Sequence, residues 1–237
     1  MNQNSTPGDE EPVALLKNVS KKYKMGDTTI TALNDVSYSF YKNELILVLG
    51  PSGSGKTTLL SILGSVIYPS SGTVEIKGQL VNKMKQKALA DLRLHNIGFV
   101  FQYFNLIAPL NAVENVMQPL LLMGVSKQEA RDKAEQALEK LNMGDRKKSL
   151  PRNLSGGQQQ RVAIARALIN DPSIILCDEP TASLEQASFE SVMGRLKTLS
   201  KEGRCVIVVT HDHRLKAYAD KIIYIENGEM ADLPPDN

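Results

Sequence analysis

The sequence has little of what marks secreted, membrane-spanning or nucleic-acid-binding chains. Two Cys in 237 residues cannot build a disulfide scaffold. Wholly apolar runs are short, such as Leu45–Leu49, whereas a membrane helix needs roughly 20 apolar residues. The 28 basic and 26 acidic residues leave a net charge of only +2, which argues against a dedicated nucleic-acid binder. We therefore expect a chain that binds no nucleic acid and does not cross a membrane alone.

Low-complexity character is also scarce. The 16 Gly and 11 Pro are too few for a disordered or fibrous chain, and 42% hydrophobic residues suffice for a sizeable core. The polar, acidic segment 1–12 predicts a disordered tail and does not resemble a signal peptide. The segment 232–237, with two Pro, predicts a loose C-terminus.

Hydrophobic patterning predicts two kinds of strand. Leu45–Leu49, Ile174–Cys177 and Cys205–Val209 are continuously apolar, as strands of a parallel sheet covered on both faces are. Residues 13–49 read as short strands broken by turns, and Thr73–Lys77 alternates apolar and polar residues, which is typical of a half-buried antiparallel strand. The sequence thus predicts a parallel sheet with an antiparallel portion near its N-terminus.

A mostly helical stretch is predicted between about Tyr103 and Asn170. Its clearest helix runs from Ser126 to Asn142, with Ser126 and Glu129 in a capping-box pattern and Gly144 just past its end. Helices placed between apolar strands indicate an α/β domain.

The segment that follows the first apolar strand matches the phosphate-binding pattern G-x-x-x-x-G-K-S/T. Glycines there let backbone N–H groups turn toward phosphate oxygens, and the following helix N-terminus adds positive charge. Lys56 is expected to reach the β- and γ-phosphates, and the Thr57 hydroxyl to bind Mg²⁺. The alternative is a Gly-rich turn without a ligand. The predicted nucleotide contacts are Gly50, Pro51, Ser52, Gly53, Ser54, Gly55, Lys56, Thr57 and Thr58.

A second apolar strand ends in two adjacent acids. Asp178 at the carboxyl edge of the sheet suits a Walker B ligand of Mg²⁺. Glu179, next in the chain, is predicted to orient or deprotonate the attacking water. The alternative is a helix N-cap followed by a solvated acid.

A second Gly-rich helix start follows about 100 residues after the first. Ser155, Gly156, Gly157 and Gln158 combine a capping-box pattern with a site suited to an anion. One domain needs only one loop around one triphosphate, so the second start is either a plain helix cap or a contact to another ligand or subunit.

Leu154–Gln158 together with the run that follows, Gln159–Leu168, resembles the signature of ABC (ATP-binding cassette) ATPases. The resemblance extends from about Val13 to Gly228. It implies a P-loop NTPase fold over residues 13–231: a RecA-like parallel sheet core, an N-terminal antiparallel β subdomain and a helical subdomain inserted at about 103–170.

The same resemblance implies roles for individual residues. Tyr23 would stack on adenine, Gln102 would contact Mg²⁺ or the water, and His211 would lie near the γ-phosphate. Ser155, Gly157 and Gln158 would bind the ATP held by an opposite, identical subunit. The implied catalytic set is Lys56, Gln102, Glu179 and His211, and the implied Mg²⁺ ligands are Thr57, Gln102 and Asp178. His95 and His213 are expected to be structural.

One segment departs from the family pattern. The usual S-A-L-D of the D-loop is here Ala182-Ser183-Leu184-Glu185. Glu185 keeps the charge and is one methylene longer, which puts coupling between the two ATP sites in question.

The subgroup is indicated by Ile97–Leu106 and by Gln158–Gln160. Both resemble ATPase subunits of lipoprotein-releasing and macrolide-exporting systems, which work by mechanotransmission. Amino-acid-type importers and a cell-division regulator of the same family remain alternatives. A GTPase is disfavoured because Asn82–Lys85 lacks the Asp of the base-reading motif.

The resemblance further implies a separate membrane permease, with this chain on the cytoplasmic face of the inner membrane. A periplasmic adaptor or binding protein is a further candidate partner. The apolar segments Phe104–Leu110 and Leu120–Met123 are either core of the helical subdomain or walls of a groove for a permease helix.

Overall fold

The fold is an α/β domain, seen in a computed structural model that describes residues 11–182 and 186–232. The strands, in chain order from β1 to β10, are Ala14–Met25, Thr28–Phe40, Leu45–Leu49, Ser71–Ile76, Gln79–Leu80, Ile97–Val100, Ile174–Asp178, Cys205–Val209, Lys221–Glu226 and Glu229–Ala231. The helices, from α1 to α6, are Lys56–Leu63, Gln86–Asn96, Ala112–Leu122, Lys127–Glu139, Gly156–Leu168 and Gln186–Lys201. No helix in these ranges is long and apolar enough to span a bilayer.

Two sheets form the framework. The first is antiparallel, with strand order β2-β1-β4-β5. The second has the order β10-β9-β3-β8-β7-β6 and is parallel except for β10. All five residues of β3 and of β8 are buried, because helices or the other sheet cover both faces. The predicted parallel core with an N-terminal antiparallel portion is confirmed.

Three clusters of buried side chains correspond to three layers. One lies between the antiparallel sheet and one face of the parallel sheet and includes Phe40 and Leu63. A second lies under α6 on the opposite face and includes Leu47 and Met193. The third holds α3, α4 and α5 together. Helix α5 belongs to both the second and the third cluster, so it joins the helical layer to the sheet.

The boundaries of several predicted elements shift for local reasons. The strand expected at Thr73–Lys77 is Ser71–Ile76, since Lys77 takes a left-handed turn conformation with φ 50°. The helix expected to reach Asn142 ends at Glu139. Asn142, with φ 55°, takes the left-handed position after the helix that Gly144 was expected to hold. Gly144 instead begins a short 3-10 turn.

Candidate functional site

The predicted site residues follow neighbouring strands of the parallel sheet at one edge. Val48 of β3 pairs with Val209 of β8, which also pairs with Asp178 of β7. Since parallel strands in register end together, the loops after these strands begin side by side. Gln102, two residues beyond β6, lies in a turn at the same edge. The fold thus brings the phosphate loop, both acids, the Gln and the residue after Thr210 to one region.

Backbone atoms of other strands pack closely against the phosphate loop. A Cβ at Gly50 would lie 2.0 Å from the Ile225 carbonyl oxygen, so this position accepts only glycine. Gly55 precedes α1 with φ 109°, a left-handed conformation that glycine adopts without strain. The loop therefore ends at a helix N-terminus with its backbone already bent for an anion.

Lys56 lies in the first turn of α1 and points back into the loop. Its ammonium donates to the carbonyls of Gly50 and Pro51, each at 2.8 Å. Only 8% of the residue is exposed. Burial lowers the pKa of Lys56, and the negative charges of Glu179 and Asp178 oppose that shift. A buried cation is thus held beside two carboxylates.

Asp178, the last residue of β7, is partly buried. Burial raises the pKa of Asp178, the neighbouring charge of Glu179 raises it further, and Lys56 counteracts both. Within residues 11–182 and 186–232, no hydrogen-bond donor contacts its carboxylate. A half-buried carboxylate that accepts no hydrogen bond from the described residues is suited to bind a cation.

Glu179 is fixed by two neighbours from the end of β8. The Thr210 hydroxyl donates to its Oε2 at 2.7 Å, and the His211 backbone N–H donates to its Oε1 at 3.1 Å. His211 Nδ1 lies 2.6 Å from the same Oε1. Because carboxylate oxygens accept, Nδ1 carries the proton and Nε2 remains to face solvent. The carboxylate is 16% exposed and the imidazole 70%.

Tyr23 lies on the β1–β2 hairpin and pairs with Ile30; the same hairpin packs against the phosphate loop, where a Cβ at Gly55 would lie 2.3 Å from the Ala32 carbonyl oxygen. The residue is 39% exposed, and the Lys21 ammonium lies 5.2 Å from the ring centroid. An exposed ring with a cation nearby offers a face for a base to stack on. The ring is accessible to a ligand, and stacking on adenine stays a prediction.

The second helix start has the predicted capping box. The Ser155 hydroxyl accepts from the Gln158 N–H at 3.3 Å, and the Gln158 side chain accepts from the Ser155 N–H at 2.9 Å. Between the phosphate loop and residues 155–158, both within the described ranges, no hydrogen bond forms. The single chain therefore does not unite its two anion sites.

The sequence assigned no role in the site to two further residues, Thr210 and Gln160. Thr210 is fully buried, and its hydroxyl donates to Glu179. In the sequence, only its position directly before His211 associates it with the site. Gln160 is fully buried on α5 and donates to the Pro180 carbonyl at 3.0 Å, directly after Glu179. The D-loop residues 183–185, including Glu185, lie outside the described residues.

The donor set fits Mg²⁺ bound together with a nucleotide. No group of three His, Cys, Asp or Glu in the described ranges could hold a metal by itself. Mg²⁺ normally takes one or two carboxylates together with waters and substrate phosphates. Asp178, partly buried and near the Lys56 ammonium of the phosphate loop, supplies such a carboxylate; Thr57 lies in the first turn of α1.

Comparison with known proteins identifies the family. The family model described as "ABC transporter" matches residues 33–182, more than half of the chain. The ABC transporter ATP-binding protein YknY of Bacillus subtilis is 40% identical over 215 residues, covering 91% of this chain and 94% of that protein. The macrolide export ATP-binding/permease protein MacB of Hyphomonas neptunium is 42% identical over 219 residues, 92% of this chain but 34% of that protein.

A solved structure agrees with this result. The ATP-binding cassette MJ0796, in a dimeric post-hydrolysis state bound to ADP and Pi, superposes with a TM-score of 0.87 at 43% identity. The match covers 92% of this chain and 97% of that one. The site geometry, the family match and this shared fold give one answer: the chain belongs to the ABC transporter family and is its ATPase cassette, with a P-loop NTPase fold.

Proposed function

We propose that this chain hydrolyses Mg²⁺-bound ATP between two identical subunits and thereby drives a separate membrane permease of the exporting, mechanotransmission type. The observation that carries the catalytic part is the fixed carboxylate of Glu179. It is held by Thr210 and His211 at the strand edge where Lys56 and Asp178 also lie.

The roles divide according to charge and position. The phosphate loop and Lys56 bind the β- and γ-phosphates, and Thr57, Asp178 and Gln102 hold Mg²⁺. Glu179 accepts a proton from the attacking water, and His211 orients that carboxylate while its exposed Nε2 faces the γ-phosphate. Tyr23 stacks on adenine. Phosphoryl transfer needs little more than such positioning and charge stabilisation.

The second subunit is a copy of this chain, placed head to tail. Ser155, Gly156, Gly157 and Gln158 form a helix N-terminus that binds no part of their own phosphate loop. An N-terminus of this kind suits an anion, and the γ-phosphate held by the other subunit supplies one. The dimeric state of the related cassette MJ0796 supports this arrangement.

The exporting role rests on relatives. The MacB proteins, named as macrolide export ATP-binding/permease proteins, carry an ATPase region 42–44% identical to this chain together with their own permease. This chain spans about a third of their length. We propose that a separate permease works with this chain, which would lie beside it at the cytoplasmic face of the inner membrane, with a periplasmic adaptor as a candidate further component.

A groove beside the Gln102 turn suits the permease. It has a volume of about 1080 Å³ and an apolar floor that includes Phe99, Phe101 and Pro119. Leu122 lines the groove and is 75% exposed, whereas Leu120 is buried in the helical core. The apolar segment Leu120–Met123 therefore contributes both to the core and to the groove. The cations Lys85, Lys87, Arg93 and Arg166 outnumber Asp91 around it. We assign it to a short helix of a permease cytoplasmic loop that carries an acidic side chain.

Replacement of the base tests the catalytic assignment. Glu179→Gln removes the proton acceptor and keeps the shape, so ATP binding should persist while hydrolysis falls by about 10²–10⁴-fold. The two subunits should then remain joined around ATP, seen as a dimer in size-exclusion chromatography with Mg²⁺ and ATP. Glu75→Gln, on the distant strand β4, is the matched control. Hydrolysis by Glu179→Gln at the wild-type rate would show that another group is the base.

A further inference from the structure

The turn that carries Glu179 is constrained from three sides. Its backbone has φ 46°, in the left-handed region that residues with a side chain seldom adopt. The Glu179 N–H donates to Val209 O at 3.0 Å, and its carbonyl accepts from the Ala182 N–H at 3.3 Å. The third constraint comes from outside the strand edge, at the carbonyl of the next residue, Pro180.

That constraint is the amide of Gln160. The residue is fully buried, and its Nε2 donates to Pro180 O at 3.0 Å. A carbonyl only accepts, so the amide is held with its nitrogen toward Pro180. Its Oε1 is buried without a hydrogen-bond partner in the described part of the chain. Leaving a buried amide oxygen without a partner costs free energy. The hydrogen bond to Pro180 O is therefore the interaction that we take as the role of this side chain.

Gln160 also lies on the helix that begins at the signature loop. It lies five positions after Ser155, and the chain between them is continuous α-helix from Gly156 onward. A displacement of that helix start therefore moves the Gln160 amide and, through one hydrogen bond, the turn that holds the base.

We infer that Gln160 is a positioning residue for ATP hydrolysis: through the Pro180 carbonyl it holds the Glu179 carboxylate in place and ties it to the signature loop of the same subunit. The inference rests on the proposed function, in which Glu179 is the base. In the head-to-tail dimer, Ser155 contacts the ATP bound by the partner subunit, so Gln160 links one ATP site to the base of the other.

The test compares Gln160→Met with the control Gln118→Met in the full-length chain. Met keeps the length and lacks the donor; the Gln118 amide donates within its own helix, to Glu114 O. We expect Gln160→Met to lower kcat for ATP by about 10–100-fold, because small misplacement of a catalytic group has effects of this order, with KM changed less than about two-fold. Gln118→Met should leave both values unchanged.

Combination with Glu179→Gln distinguishes positioning from a general structural effect. If Gln160 acts through the base, Gln160→Met should not lower the residual rate of Glu179→Gln any further. An equal fold-loss in both backgrounds, or a wild-type kcat for Gln160→Met while Glu179→Gln is inactive, overturns the inference and leaves the proposed function intact. Wild-type activity of Glu179→Gln would instead overturn the proposed function.

Gln160→Leu provides a second variant of similar volume. Leu cannot donate to Pro180 O, so the same loss of kcat with KM retained is expected. Thermal melting monitors folding of each variant. Failure of both variants to fold would show that the residue serves the fold alone, and the inference would then be wrong.

Discussion

At the scale of single residues, the acids at the end of β7 are kept in conditions that the fold alone would not favour. Glu179 adopts a left-handed backbone, which costs a non-Gly residue roughly 1–2 kcal/mol. Burial raises the pKa of Asp178, so its ionised form is disfavoured in the folded chain. Such strain is typical of functional sites, where geometry is set by the ligand's needs.

A prediction about Asp178 follows from that pKa. An Asp whose pKa is raised on folding adds stability below its unfolded value of about 3.9, and that stability is lost as pH rises through the folded value. At neutral pH the folded, nucleotide-free protein therefore bears the full cost of the charge. Asp178→Asn should raise the melting temperature at pH 7 and abolish the Mg²⁺-dependent part of ATP affinity.

Melting curves at several pH values and ATP titrations with and without Mg²⁺ check both parts. The gain in melting temperature should shrink as pH falls toward 4. The exposed Asp145 is a suitable control, and Asp145→Asn should change neither property. A lower melting temperature for Asp178→Asn at pH 7 would contradict the burial argument.

At the scale of elements, helix α3 holds the loop before it through one buried amide. Asn115 Oδ1 accepts from Ile107 N–H at 2.7 Å, and its Nδ2 donates to the carbonyls of Ile107, Leu110 and Asn111. The residue is fully buried. The Asn115 side chain thus adds four hydrogen bonds to the backbone of residues 107–111, beside the backbone hydrogen bond from Leu110 N–H to Ile107 O.

Removing that amide should loosen the whole segment. Asn115→Ala removes the hydrogen-bond partners of the Ile107 N–H and the Leu110 carbonyl and should lower the free energy of unfolding by about 2–4 kcal/mol. Urea unfolding gives the value, and hydrogen exchange should show faster exchange at 107–111. Gln118→Ala, whose amide bonds only within α3, should change stability by less than about 0.5 kcal/mol. Equal values for the two variants would count against this view of Asn115.

Elements were predictable from sequence where their cause is local. Apolar runs predicted the bounds of β3 and β8 as found, and the Ser155–Gln158 capping box was read directly from residue spacing. Contacts between distant segments were not predictable in this way. Arg166 donates to the carbonyls of Phe104 and Asn105, about 60 residues earlier. The sequence around these three residues gives no indication of this contact.

At the scale of the whole molecule, the groove lies beside β6, at one edge of the parallel sheet, and the β9–β10 hairpin forms the opposite edge. The order of the strands was not deducible from composition or periodicity, since it depends on pairing between segments far apart in the chain. The resemblance to ABC ATPases predicted a RecA-like parallel sheet, and the structure gives its strand order, β10-β9-β3-β8-β7-β6.

The groove assignment leads to a prediction about assembly. Leu122→Asp places a charge on an exposed apolar wall, and losing the burial of one Leu costs roughly 1.5–3 kcal/mol, about a ten-fold or greater loss of affinity. The amount of integral membrane protein that co-purifies with the chain from its native membranes should fall accordingly. Met230→Asp, at the opposite edge of the sheet and 40% exposed, is the control. Equal recovery with both variants would mean that the permease docks elsewhere.

The position of β3 in the sheet determines when the nucleotide loop can form during synthesis. Its neighbours are β8 and β9, which begin at Cys205 and Lys221. The loop itself is fixed by the Gly228 N–H, which donates to the Ser54 carbonyl at 3.0 Å. The antiparallel sheet is complete once residue 80 has been made. The phosphate loop at residues 50–57 therefore gains these neighbours only after about 150 further residues have been synthesised, whereas the antiparallel sheet needs none of them.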